Sequence, residues 1–307
     1  MAFVDRLRSV PFVFEVVPPH RRAGERAVAS LVQRVQDAVR AIPQIDAVNL
    51  PEVVEENYAA RPLYRNLDPR AFSRMLNQGL RVETIVDRVV PHLGGMAGLD
   101  AYVRESLEAH GVRNFVLVGI AREGVTYPGP DVAKATARLR ELTRDRTDVA
   151  CGNIVIPERA GEVERLMRKT RAGAQFFTTQ VLFEAEPAAS VVREYGDACA
   201  AAGLSPATVI LSFAPVADRE DVQFLEWLGA WIPPRTAEAL LDHRGREPGM
   251  ASMDVARSTW ARVRDAVAGA RHPVPLGVNV EEISVHTFDL AVRMAREFAA
   301  LRDAGAT

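Results

Sequence analysis

"PFVFEVVPPHRRAGERAVASLVQRVQDAVRAIPQIDAVNL", residues 11–50, holds the pattern from which the fold follows. Phe12, Val13 and Phe14, then Val16 and Val17, form an apolar run closed by Pro18 and Pro19, the mark of a short buried strand. Leu31, Val32, Val35, Val39 and Ile42 then recur at helical spacing. A second mostly apolar run, "QIDAVNL" (44–50), follows. Parallel strands covered on both faces read in this way. One residue stands out. Glu15 lies inside the first run, and an ionised carboxylate buried without a partner is costly. Either Glu15 sits at an open mouth, or its surroundings keep it protonated.

The same unit repeats along the chain. The runs "VETIVDRVV" (82–90), "NFVLVGI" (114–120), "VACGNIVI" (149–156), "AQFFTTQVLF" (174–183), "ATVILSFAP" (207–215) and "VPLGVNV" (274–280) alternate with helical segments. Asp68-Pro69 opens one helix and Gly79 closes it. Asp100 lies near the start of the next helix and Gly111 past its end; Gly173 ends a later one. Eight strand–helix units predict an α/β fold, a (β/α)8 TIM barrel, with residues 1–307 as a single domain. An open doubly wound sheet is the competing arrangement. The one irregularity is extra helical sequence between the seventh and eighth strands.

Composition narrows the function. Of 307 residues, 48% are hydrophobic and 25% charged, ordinary for a globular chain, and the net charge is -2. That balance gives no basic surplus for nucleic acid or an anionic membrane. No run reaches the ~18 apolar residues of a membrane span. The N-terminus lacks the small-residue cleavage site of a signal peptide. A cytoplasmic location is expected. Cys151 and Cys199 match no metal spacing and read as buried apolar residues, so no metal centre is expected.

In a barrel the chemistry belongs at the C-terminal ends of the strands. Polar residues ending apolar runs are Glu15, Asn49 with Glu52, His92, Gln180, and Asn279 with Glu281 and Glu282. Gln180 lies among aromatic and apolar residues and needs partners for its amide. His92 also reads as a loop or cap residue, Asn49 as a turn residue, and "HLGGMAG" (92–98) as a flexible strand-to-helix loop.

Taken in order, these motifs resemble the methylenetetrahydrofolate reductase family, and especially its divergent flavin-independent members. "FVFEVVPP" (12–19) resembles the first-strand motif whose glutamate is the catalytic acid, which maps to Glu15. "VVPHL" (89–93) resembles the strand whose histidine contacts flavin, which maps to His92. "HGVRNFVLVG" (110–119) and "GAWIPP" (229–234) resemble later family segments. "IPERAGEVERLMRKTRAGAQFFTTQVLFE" (156–184) resembles the longest signature. It maps Gln180 to a folate-binding glutamine and Lys169 to a lysine near the flavin phosphates.

The departures lie on the flavin side. Where the family carries Arg-Gly-Asp the chain reads "LVGIARE" (117–123), keeping Gly119 alone. The second strand continues as "VNLPEVVEENY" (48–58) without the threonine-containing flavin loop, and the last reads "VNVEEIS" (278–284). The resemblance therefore implies a folate reductase in which NADH, or NADPH, takes the place of flavin and transfers hydride directly, with FAD doubtful. Glu15 would be the general acid. Gln180, Phe183, Glu52, Glu55 and Glu281 would contact the folate, one of the acids replacing the missing aspartate. Asn49, His92, Gly119 and Lys169 would contact the cofactor. Two other readings stay open: an FAD-dependent reductase with replaced contacts, and a non-catalytic folate-binding barrel.

Overall fold

The computed structural model describes residues 2–57, 59–120, 124–242, 247–284 and 286–305. Ten strands occur among them: β1 (Phe12–Val16), β2 (Ala47–Leu50), β3 (Glu55–Glu56), β4 (Pro62–Leu63), β5 (Glu83–Val89), β6 (Asn114–Val118), β7 (Ala150–Val155), β8 (Phe176–Val181), β9 (Thr208–Phe213) and β10 (Leu276–Glu282). Eight of them close into a barrel in the order β1-β10-β9-β8-β7-β6-β5-β2. The pairings run parallel, for example Asn49 opposite Ile85 across β2 and β5, and Asn279 opposite Ser212 across β10 and β9. The eight-unit α/β barrel expected from the alternation is the observed fold. Three helices, Arg219–Trp227, Pro234–Leu241 and Met250–Ala268, account for the extra sequence before the last strand.

Local signals act where they were read, with some differences. The Asp68 side chain accepts the Arg70 amide, and Pro69 opens the helix Pro69–Leu76. Gly111 and Gly173 both carry positive φ just beyond helix ends. Asp100, however, is not near a helix start. Its helix runs Gly95–Glu108, and Asp100 pairs instead with Arg138 at 2.6 Å. "HLGGMAG" is thus partly helix. The stretch after β2 holds the antiparallel ribbon β3–β4, which the apolar pattern does not reveal. Its strands are two residues long and only partly buried.

Contacts group the chain into two units: Met1–Arg6, Glu15–Ile154 and Arg168–Phe176 form one, and Leu7–Phe14, Val155–Met167 and Phe177–Thr307 the other. In the first, Val86, Val90, Leu99, Tyr102, Val103, Phe115, Leu117 and Leu139 build an apolar layer between β5, β6 and the helices outside them. A short helix, Phe3–Arg6, sets Phe3 edge-on against Phe176 (ring centroids 5.6 Å apart). In the second unit, Phe213 stacks on Phe298 at 5.0 Å, and Trp260 meets Phe298 edge-on.

Gly152, in the first unit, leaves no room for a side chain. A Cβ at Gly152 would lie 2.4 Å from the buried Phe176 ring. Gly152→Ala is expected to cost about 1–3 kcal/mol by overpacking. Urea denaturation checks this as a lowered midpoint at unchanged slope.

Candidate functional site

The acid that raised the first question faces the barrel interior. Phe14 packs edge-on against Phe288 of the closing helix, so its neighbour Glu15 points the other way. Glu15 is the next-to-last residue of β1, and Asn49 the next-to-last of β2. Asn49 Nδ2 donates to Glu15 Oε2 at 2.7 Å. On β5, Val86 belongs to the outer apolar layer, so Asp87 likewise turns inward. Glu15, Asn49 and Asp87 are all buried, at 9%, 3% and 7% exposure, so neither acid has much water to carry its charge.

Asp87 is the key addition to the residues read from sequence. Burial raises its pKa well above the usual carboxylate value, and the charge of Glu15 raises it further. Hydrogen bonding by the Asn49 amide works in the opposite direction, and the more remote Glu52 adds to the rise. Two buried carboxyl groups thus lie on either side of one amide. Asn49 Oδ1 and Asp87 Oδ1 are buried and make no hydrogen bond among the described residues. Buried polar atoms are rarely left so, which marks these two as acceptors for a donor-bearing ligand.

A second layer holds this one in place. Glu52 Oε1 accepts from Arg88 Nη1, and Glu52 Oε2 accepts the Val89 amide at 2.8 Å. Burial raises the Glu52 pKa, while Arg88 and the Val89 amide pull it down. The Arg88 guanidinium lies 5.0 Å from the Tyr102 ring centre and 5.8 Å from that of Tyr64, so it is clamped by a carboxylate and two aromatic rings. Farther along, His92 Nε2 meets Glu56 Oε1 at 2.7 Å, and Tyr127 donates to Glu56 Oε2 at 2.9 Å. The other ring nitrogen of His92, Nδ1, is buried and has no hydrogen-bond partner among the described residues.

The remaining sequence candidates are more dispersed. Glu55 lies in the β3–β4 ribbon and pairs with Arg65 at 2.7 Å. Lys169 Nζ donates to the Ile154 carbonyl at 2.6 Å. Gly119 follows β6, where a Cβ would come within 2.9 Å of Val132; residues 121–123 of "LVGIARE" lie outside the described residues. In the second unit, Gln180 Nε2 donates to the Leu228 carbonyl at 2.9 Å and its Oε1 accepts the Val181 amide. Glu281 accepts from Asn279 Nδ2 at 3.2 Å. Phe183 is buried in an apolar cluster with Val216, Leu225 and Ile283. Among the described residues, Asp218, Asp221 and His286 bring metal-ligand atoms within 4.8 Å of one another. Asp218 there accepts the Glu220 and Asp221 amides, and Asp221 the Ala217 amide, so these carboxylates already act as backbone caps.

Asp87, Arg88, Glu56 and Tyr127 were not among the sequence candidates. For Asp87 a signal existed: an acid inside "ETIVDRVV" is as costly to bury as Glu15 inside "FVFEVV". It stands third from the strand end, ahead of the terminal positions where polar residues were sought.

No protein-family model matches the chain, and no curated protein matches it. Solved structures share its fold. An uncharacterized protein from Clostridium thermocellum that binds two copies of 5-methyl-5,6,7,8-tetrahydrofolic acid superposes with a TM-score of 0.75 at 18% identity, over 97% of this chain and 98% of that one. An aldo-keto reductase complexed with NADPH reaches 0.50 at 10% identity, over 92% and 78% of the two chains. A xylanase-A-amylase inhibitor protein also reaches 0.50 at 10% identity, over 95% and 98%. These likenesses are ones of fold. No described helix is long and apolar enough to cross a membrane.

Proposed function

We propose that this protein reduces 5,10-methylenetetrahydrofolate to 5-methyltetrahydrofolate, with hydride taken directly from NADH in a ternary complex and Glu15 as the general acid. The observation that carries the reading is the buried set at the strand ends: Glu15 bonded to Asn49 at 2.7 Å, with Asp87 beside them. A folate-binding structure of the same fold over nearly the whole chain supports the substrate class.

The reaction needs a proton at one atom and a hydride at another. Protonation of N10 by Glu15 breaks its bond to the bridging carbon and leaves an iminium at N5. The dinucleotide supplies the hydride that adds to that carbon and gives the methyl group. Glu15, left as a carboxylate, stabilises the cation before hydride arrives. The acceptor atoms Asn49 Oδ1 and Asp87 Oδ1 suit the amino and ring N–H donors of a reduced pterin, and the carboxamide donors of a nicotinamide equally. Gln180, Phe183, Glu281, Glu52 and Glu55 remain proposed folate contacts, and Asn49, His92, Gly119 and Lys169 proposed cofactor contacts.

The test is an absorption spectrum of the purified protein, followed by NADH oxidation with methylenetetrahydrofolate and no added flavin. A colourless protein that forms 5-methyltetrahydrofolate is expected. A yellow protein, or turnover that requires FAD, would replace direct transfer by the flavin mechanism. Binding of folate with no reduced product would make the barrel a binding module.

A further inference from the structure

We infer that the outer face of the β3–β4 ribbon is an anion-binding site, in which Arg21, Arg61 and Arg65 hold the carboxylate or phosphate groups of an extended ligand. The ribbon has two faces of opposite character. Pairing sets Glu55 opposite Leu63 and Glu56 opposite Pro62. Glu56 turns inward to His92 and Tyr127, and Tyr64 lies on the same side, beside Arg88. Strand alternation then puts Arg61, Leu63 and Arg65 on the other face, and all three are exposed.

A third segment completes the outer face. His20 bridges antiparallel to Asn66, the Arg21 amide donates to the Arg65 carbonyl at 2.8 Å, and the Leu67 amide donates to the Pro19 carbonyl at 2.9 Å. Asn66 Nδ2 donates to the Pro18 carbonyl at 2.6 Å and fastens this edge. The register sets Arg21 across from Arg65. Like charges directly opposite each other in a sheet are destabilising. Glu55 pairs with Arg65 at 2.7 Å, but Arg21 and Arg61 make no ion pair among the described residues. Three guanidinium groups thus share one carboxylate. Arg61 and Arg65 are four residues apart, about 13 Å along an extended chain. A small ion fills one end of that span, whereas a ligand with two or more anionic groups in line fills it all. Arginine forks donate paired hydrogen bonds to carboxylate and phosphate alike.

The three arginines belong to the first unit and lie in the segments that follow β1 and β2, the ends to which Glu15 and Asn49 also belong. Both ligands of the proposed reaction carry the required chemistry. A folate ends in glutamate carboxylates, with more of them where further glutamates extend the tail, and the dinucleotide carries a pyrophosphate. The choice between these two rests on the proposed reaction; the anion site does not.

Thermal melts at matched ionic strength test the site without turnover. Tripolyphosphate should raise the Tm above a sodium chloride control, and by more in the unmodified protein than in Arg21→Gln or Arg61→Gln. Both positions are exposed, and a matched circular-dichroism spectrum verifies folding. Equal shifts in all three proteins, or none beyond the chloride control, overturn the inference.

Calorimetric titration then identifies the source of the anion, using tetrahydrofolate with one glutamate, tetrahydrofolate with three, and NADH. Tighter binding of the triglutamate by about tenfold, lost in Arg21→Gln and Arg61→Gln while NADH affinity is kept, supports the site and assigns it to the folate tail. A fall of about tenfold in NADH affinity in the same variants, with both folates unaffected, supports it and assigns it to the dinucleotide. Affinities for all three ligands that do not move in either variant overturn it. Arg61→Lys keeps the charge and should retain more of the binding than Arg61→Gln. Anion binding confirmed in a protein without reductase activity would sink the proposed reaction and leave the site standing.

Discussion

Glu15→Gln is expected to lower kcat for methylenetetrahydrofolate reduction by about 10²–10⁴-fold, the usual contribution of a positioned general acid. The glutamine keeps the length of the side chain and a carbonyl that can accept from Asn49 Nδ2, so the strand-end geometry survives. What is lost is the transferable proton. Folate affinity should change little, because the missing interaction is made only as the bond to N10 breaks. Removal of a carboxyl from a buried pair also relieves like-charge repulsion, so thermal stability at and above neutral pH should hold or rise. The measurement is steady-state NADH oxidation with product identification, beside a melting curve. A variant that keeps wild-type kcat would dismiss Glu15 as the acid, whatever the resemblance of its sequence motif implies. A variant that loses folate binding along with activity would recast Glu15 as a ligand contact.

The second large effect falls on stability. Arg88→Met leaves Glu52, a carboxylate with 7% side-chain exposure, without its cation. Breaking a buried ion pair from one side costs about 3–5 kcal/mol, because the abandoned charge stays desolvated. In a chain of this size that corresponds to a fall of roughly 5–8 °C in Tm. Burial already raises the Glu52 pKa, and Arg88 is the main influence holding it down. Without Arg88 the folded-state pKa rises further above the unfolded value. A carboxyl group in that position destabilises the fold as pH climbs from the unfolded pKa towards the folded one, and not below that window. The Tm deficit of Arg88→Met should therefore shrink on acidification. Glu52→Gln combined with Arg88→Met should recover part of the loss, as double-variant cycles on buried pairs lead one to expect. Equal deficits at all pH values, with no recovery in the double variant, would mean that Arg88 matters through packing on Tyr102 and Tyr64 alone.

The linear pattern carried a great deal. Eight apolar runs with helices between them admit few closed arrangements, and the barrel follows from strands that must be covered on both faces. Glu15 was conspicuous because a carboxylate inside an apolar strand needs an explanation in any fold. Asp87 met the same criterion, yet its meaning depended on which residue would stand beside it. Glu15, Asn49 and Asp87 are separated by tens of residues, and only the curvature that brings β1, β2 and β5 side by side makes one hydrogen-bonded group of them.

Side-chain partnerships were the least legible. Glu52, Glu55 and Glu281 looked equivalent as acids near strand ends. In the folded chain Glu52 is buried against Arg88, Glu55 pairs with Arg65 on a surface ribbon, and Glu281 accepts from Asn279. Glu56, next to Glu55, is the one that meets His92 and Tyr127. The ribbon is two residue pairs long, too short for a period-two signal. Secondary structure is written in local periodicity, because backbone hydrogen bonding and burial repeat every two or nearly four residues. Charge state is not, because it depends on the distance and desolvation of groups far apart in the chain, which strand order and inward-facing registers alone create.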